Sequence, residues 1–240
     1  MRLAIVTVVV AVLSGCAGGE AVPTPTPSMT TATPEVTATP APLESEPEPA
    51  VSVDPHPDLE DLMISTGGLG PLAVGNVPPE DNPGAAMIQW DDDRCEDDAV
   101  EPGRWVPDGY AGADVNLSGD TVDAFSVEAD AAAVHRIDIW GITPQTAEGI
   151  GLGSTLTQVQ EAYPDALFGP FGDGPTRVWV VSGDSGSVAF ETAEYQEGYT
   201  DHLLEADAEE TVLFIRILHP EQSPQFTVFG SENIAGGCPL

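Results

Sequence analysis

Apolar and polar positions alternate with a period of two in three stretches near the C-terminal end of this 240-residue chain, at 177–182, 187–193 and 211–218. That spacing predicts three β-strands. Just upstream, Leu156, Val159, Ala162 and Tyr163 fall on one face of a short helix that Ser154 or Thr155 caps and Pro164 ends. A similar series occurs earlier, with strands expected near 104–117, 122–129 and 133–140. Its helix is degraded, because Pro78, Pro79 and Pro83 leave room for only about one turn after Asn76.

The two series are in step. Ile64-Ser65 matches Ile142-Thr143, while Leu72, Val74, Gly75 and Asn76 match Ile150, Leu152, Gly153 and Ser154. Val134, Ile137 and Ile139 match Val212, Ile215 and Ile217, and all three blocks share an offset of 78 residues, with gaps needed between them. The expectation is an α+β fold of two similar halves, 58–141 and 142–240, each a short helix plus antiparallel strands, together forming a curved antiparallel sheet. Chance similarity of short Gly-containing and strand segments is the competing explanation.

The segment from Gly149 to Val159, Gly-Ile-Gly-Leu-Gly-Ser-Thr-Leu-Thr-Gln-Val, stands ahead of a short helix and an antiparallel sheet. It resembles the repeat of β-lactamase-inhibitory-protein-like and BamE-like exported bacterial proteins, and looks like uncharacterised lipoproteins of actinobacteria. The resemblance implies tandem halves in a curved sheet, with helices on one side and the other side used to bind protein. The degraded first helix and the cysteine placement depart from that pattern.

The N-terminus has a different grammar. One basic residue, Arg2, precedes an apolar run from Leu3 to Leu13 and then Ser14-Gly15-Cys16. This is the layout of a secretory signal, with an apolar part too short to span a bilayer as a finished helix. Leu13-Ser14-Gly15-Cys16 resembles a bacterial lipoprotein lipobox, which implies cleavage before Cys16 and lipidation of its thiol. Residues 1–16 are therefore read as a signal peptide and the product as anchored by lipid on the exported face of a membrane.

From 17 to 57 the chain is rich in Pro, Thr, Ala and Glu and has no apolar periodicity. It cannot bury enough surface to offset the entropy of ordering, so it reads as a disordered linker. At about 3.1 Å per residue in polyproline II conformation, some 40 residues reach on the order of 100 Å. About 180 residues remain for a folded head, an ordinary domain size.

Charge narrows the partners. Asp and Glu number 40 against 6 basic residues, every one an arginine, for a net charge of −34. Such a field repels nucleic acid and anionic membrane surfaces. With Cys16 lipidated, Cys95 and Cys238 remain to pair in an oxidising compartment. Closing a loop of about 140 residues is worth roughly 4–5 kcal/mol by chain entropy.

Alternation along the strands also suggests a binding face. Arg136, Asp138 and Trp140 point opposite to Ile137 and Ile139, as do Phe214 and Arg216 to Leu213, Ile215 and Ile217; Arg177, Trp179 and Val181 oppose Val178 and Val180. Arg136, Trp140, Arg177, Trp179, Phe214 and Arg216 are thus expected on one non-aliphatic face. Their chemistry is that of a protein-binding surface. Cross-strand pairing of the arginines with Asp138 and Glu191, with the rings covered by loops, is the alternative.

Chemical motifs lead nowhere further. Gly183-Asp184-Ser185-Gly186-Ser187 echoes a serine-protease nucleophile loop, but only 50 residues separate Ser185 from His135, and the segment reads as a hairpin turn. Gly149, Gly151 and Gly153 lack a βαβ context for phosphate binding. Asp114 to Asp120 begins like an EF-hand loop, yet Phe125 stands where a bidentate Glu is needed; Asp91–Asp93 with Glu96, Asp97 and Asp98 is a second acidic cluster. His56, His135, His202 and His219 show no zinc spacing. No catalytic residue, cofactor or metal is expected, and the reading is a non-enzymatic module that binds an exported protein or envelope component. A structural or sensory envelope lipoprotein without a tight ligand, or an enzyme without a recognisable motif, are the alternatives.

Overall fold

A computed structural model of the chain describes residues 55–95, 103–169, 176–224, 227–229 and 234–238. The signal-like segment with Cys16, the linker up to Asp54, and Glu96, Asp97 and Asp98 lie outside the described residues. The first strands are Met63–Ser65 (β1), Gly68–Leu69 (β2), Leu72–Ala73 (β3), Ile88–Asp91 (β4), Arg104–Pro107 (β5), Asp114–Val115 (β6) and Thr121–Val122 (β7). They are followed by Phe125–Ala129 (β8), Val134–Ile139 (β9), Gln145–Thr146 (β10), Leu167–Gly169 (β11), Thr176–Ser182 (β12), Ser187–Ala193 (β13) and Thr211–Leu218 (β14).

Six strands make the main sheet, in the order β11-β12-β13-β14-β9-β8, with every neighbouring pair antiparallel. A second sheet, β10-β1-β2-β3, contains one parallel pair, β1 with β10, and β4–β5 and β6–β7 form separate two-stranded ladders. The fold is mostly antiparallel sheet.

A single α-helix, Leu156–Ala162 (α1), stands among the described residues. Thr155 caps it: its side chain accepts from the Gln158 amide while Gln158 reaches back to the Thr155 amide, so two otherwise unpaired donors are satisfied. The short helix expected in the first half is replaced by 3-10 turns, Pro79–Asp81 and Ala85–Met87, since the prolines there forbid a continued α-helical ladder.

The long strand expected over 104–117 is also broken. It stops at Pro107, and after a turn through Gly109 and Gly112, both at positive φ, the chain pairs β6 with β7. The expected strand 122–129 divides at Asp123-Ala124, where the Ala124 carbonyl accepts from both Trp140 and Gly141 amides.

One core fills the space between the main sheet, α1 and the smaller sheet. Ile137, Ile139, Ile215, Ile217, Val188 and Phe190 face it from the main sheet, Val159 from α1, and Ile64, Leu69 and Leu72 from the second sheet. Two connections to this sheet use matching positions. The Gly75 amide donates to the Val134 carbonyl (3.0 Å), and the Val134 amide donates back to the Gly75 carbonyl (3.2 Å). Seventy-eight residues on, the Gly153 amide donates to the Val212 carbonyl (2.9 Å), and the Val212 amide donates to the Ser154 carbonyl (2.8 Å).

Candidate functional site: an aromatic groove beside a strapped sheet

Residues directly opposite one another in a ladder share a face. Ile139 opposes Ile215, Ile215 opposes Phe190, and Phe190 opposes Trp179. Trp179 and Arg177 therefore stand on the aliphatic side, not with Arg136 and Arg216, and the expectation of one six-residue face is corrected by the register. The error has a simple cause: each strand alternates, but nothing within a strand says which of its two faces meets which face of the next. Trp179 packs on Phe168 at 4.8 Å and donates to Thr192 Oγ1 at 3.3 Å. Arg177 pairs with Glu194 (3.2 Å) and with Glu210, and these carboxylates, Glu194 first, push its already high pKa further up.

A bulge moves Leu213 as well. Glu191 opposes Phe214 while Thr192 opposes Val212, so β14 carries an extra residue there. Leu213 packs with Ala193 and Leu204 instead of joining Ile215 and Ile217 in the main core.

The other face of the sheet is charged and covered. Arg136 donates through Nε and Nη2 to the two carboxylate oxygens of Asp138, each at 2.6 Å, in a bidentate fork. Arg216, 1% exposed, lies in the same layer, and burial pulls its guanidinium below the usual pKa against the opposing pull of Glu191. The C-terminal segment crosses this layer as a strap. Glu191 accepts from the amides of Val228 (2.6 Å) and Phe229 (3.1 Å), Asp138 accepts from the amide of Ala235 (2.9 Å), and Arg216 donates to the Pro224 carbonyl (3.4 Å). Cys238 at its end is disulfide-bonded to Cys95. Arg136 and Arg216 are consequently interior residues, and the expectation that they line an open surface is corrected: the strap's amides need acceptors, and the buried carboxylates supply them.

Two of the six, Trp140 and Phe214, do meet at a surface. Their rings are 6.0 Å apart at 81°, edge to face, and both are half-buried. They form part of the wall of a groove of about 440 Å³ together with Leu117, Val122, Leu152, Leu203 and Leu213, with Asn116 and Asp123 as its polar members. The Trp140 indole is fixed by donating to Ser126 Oγ at 2.8 Å.

The groove's other wall comes from turns. Asn116 Oδ1 accepts from the Ser118 and Asp120 amides, shaping the β6–β7 connection that presents Leu117. Asp114 anchors that connection by accepting from the Val115 amide and from the amide and hydroxyl of Thr143, at 2.8–3.0 Å. Gly141 is required beside it, because a Cβ there would lie 2.1 Å from the Asp114 carboxylate. The EF-hand-like residues are thus committed to hydrogen bonds within a turn. Leu203 enters from the 194–210 excursion, where Thr200 accepts from the Gln196 amide and donates to the Glu194 carbonyl.

Leu117, Val122, Leu152 and Leu203 lie in loops or in a two-residue strand. Sequence signals exist for three of them, Leu152 at a repeat position and Leu117 and Val122 at the ends of expected strands, while Leu203 is an isolated apolar residue of a polar stretch. Gly183 to Gly186 form the turn of the β12–β13 hairpin, the Gly183 amide donating to the Gly186 carbonyl at 2.8 Å. Among the described residues, no three His, Cys, Asp or Glu side chains gather as metal ligands would.

No family model matches the chain, and no curated protein does. Among solved structures, it is similar to the uncharacterised protein YfeY from Escherichia coli, with 14% identity over 65% of this chain and 99% of that one, at a TM-score of 0.38.

Proposed function

We propose that this chain is a lipid-anchored lipoprotein of the exported face of a bacterial membrane, whose head is a non-enzymatic module that binds an exported protein or envelope component. Residues 1–16 serve as signal, Cys16 as the lipidated residue and 17–57 as a tether that holds the head away from the membrane. The observation that carries the binding reading is the half-exposed Trp140–Phe214 pair in an apolar groove. Aromatic residues left at the surface of a concave apolar site are the usual anchors of recognition. The disulfide between Cys95 and Cys238 fits an oxidising compartment.

Two related halves belong to the same reading. What supports them is the coincidence of the offset of 78 residues with matching hydrogen bonds, Gly75 to Val134 and Gly153 to Val212, on the adjacent strands β9 and β14. The proposed binding site lies near the junction of the halves, since Trp140 closes β9 and Phe214 lies on β14.

A photoreactive residue placed at Leu203, on the groove, and another at Arg177, on the opposite side of the sheet, test the module in intact cells. Crosslinks to a defined envelope species from position 203 and none from 177 are expected; equal crosslinking at both, or none at 203, overturns the reading. Fatty-acid labelling of the wild type that disappears in Cys16→Ser is the expected result for the anchor, and an unlabelled wild type refutes it.

A further inference from the structure

The groove has a chemical preference, and the inference drawn from it rests on the binding reading above. Seven apolar or aromatic side chains and two polar ones line it, and of the polar pair Asp123 carries negative charge while Asn116 is neutral. No basic side chain is among them. The chain has no lysine, and the arginines of the sheet are committed elsewhere: Arg136 to Asp138, Arg216 beneath the strap, and Arg177 to Glu194 and Glu210. An anion entering this site would meet a carboxylate and the field of a chain of net charge −34, with no partner to offset either.

Two aromatic rings near right angles, one carboxylate and an apolar floor make the reverse case. A cation is drawn to the faces of Trp and Phe by their quadrupoles, most strongly where water is displaced. Asp123 keeps its place through Oδ1, which accepts from the Gly112 amide at 2.9 Å, and its side chain is only half-buried, so a ligand can approach its charge. The volume, about 440 Å³, suits a small organic molecule or a single side chain.

We propose that the Trp140–Phe214 groove binds an organic cation with an apolar body, an alkyl- or aryl-ammonium group, by cation–π contact with the rings and charge pairing with Asp123. The ammonium group can belong to a free small molecule or to a headgroup; the chemistry recognised is the same.

Calorimetric titration of the full chain bearing Cys16→Ser, which removes the lipid and any need for detergent, tests this with three probes. They are benzyltrimethylammonium, its neutral carbon isostere neopentylbenzene, and the anion phenylacetate, each also followed by the NMR signal of the Trp140 indole N–H. The ammonium ion is expected to bind about tenfold more tightly than the neutral isostere, a difference of about 1.4 kcal/mol, and phenylacetate not at all. Asp123→Asn, which keeps the acceptor for Gly112, is expected to weaken the ammonium several-fold and leave the isostere unchanged, while Trp140→Ala weakens both. If isostere and ammonium bind equally, and both are lost in Trp140→Ala, the cation preference is overturned while the groove stands as a binding site. If no probe moves the Trp140 signal, the groove reading falls too. Should the ammonium bind, an ammonium-bearing lipid headgroup presented on vesicles of phosphatidylcholine, against phosphatidylglycerol, identifies which source the head takes; binding to the anionic vesicles in preference overturns the assignment.

Discussion

The two faces of the six-stranded sheet are closed by opposite means. One is sealed mainly by hydrocarbon: isoleucines of β9 and β14, Val188 and Phe190, α1 and the small N-terminal sheet interlock as one apolar cluster. The other is sealed by a strap whose amides end on carboxylates, above a layer holding Arg136, Asp138, Glu191 and Arg216. Burial of hydrocarbon is non-directional and tolerates small shifts. Carboxylates that receive particular amides fix one position of the strap. The first face gives the domain its stability, the second gives one segment its place.

Substitutions on the two faces should therefore fail in different ways. Phe190→Ala is expected to cost about 3–5 kcal/mol, as lost transfer energy plus a cavity beneath Tyr163, which stacks on that ring at 5.6 Å. Asp138→Ala is expected to cost a similar amount, about 3–5 kcal/mol, because it removes the bidentate partner of the buried Arg136 guanidinium and the acceptor of the buried Ala235 amide. Only the second should be repairable by a neighbour: Arg136→Met with Asp138→Leu is expected to recover the part of the loss owed to Arg136, since removing both charges removes the desolvation cost of each, but not the part owed to the Ala235 amide, which still lacks its acceptor. Urea midpoints of the three proteins measure this, and a double variant no more stable than Asp138→Ala would refute the account of the charged face.

The disulfide sharpens the contrast further. Cys95 and Cys238 are 143 residues apart, and the bond ties the strap's end back to the region after β4. Replacing both by serine is expected to cost about 2–4 kcal/mol, below the chain-entropy figure, of which disulfides commonly fall short. Local exchange separates the faces more cleanly than the global figure. Amides of Val228, Phe229 and Ala235 should exchange faster in the variant, while those of Ile137 and Ile215 follow only the change in global stability. Uniform acceleration on both faces would show that the strap is an integral part of the core.

How far the sequence discloses this architecture depends on the kind of order. Strands β12, β13 and β14, and α1 with a cap at Ser154 or Thr155, follow directly from period and capping chemistry, and the structure selects Thr155. The pairing of Cys95 with Cys238 follows from there being three cysteines, one of them in a lipobox-like ending. Register does not follow, so alternation alone assigns Trp179 and Arg177 to the wrong face, and neither does the bulge that turns Leu213. The strap has no periodic pattern, being held by amides that any residue but proline supplies, so the covering of Arg136 and Arg216 is invisible before folding. Half of the groove shares this origin: Trp140 and Phe214 belong to strand patterns, whereas Leu117, Leu152 and Leu203 are brought in by turns.

The smallest effect tests the hydrocarbon face at a polar contact on its helix side. Tyr163 stacks on Phe190 and donates its hydroxyl to Glu148, and burial first, then that hydrogen bond, pushes the phenol up to about 12 from an ordinary value of 10.0. The same bond holds Glu148 below its usual value. A phenol whose folded pKa lies above its unfolded one contributes stability that is whole below pH 10 and is lost as pH rises through about 12. The carboxylate works in the opposite direction, its contribution being present above the unfolded value of 4.5 and lost as pH falls through the depressed one. Tyr163→Phe keeps the ring on Phe190, removes the first dependence and takes away the largest cause of the second. Its urea midpoint should fall slightly at pH 7 and then decline less than the wild type's between pH 9 and 11. Identical declines for the two proteins would mean that the phenol is neither buried against Phe190 nor held by Glu148 in solution, and that this edge of the hydrocarbon face is sealed without the Tyr163 hydroxyl.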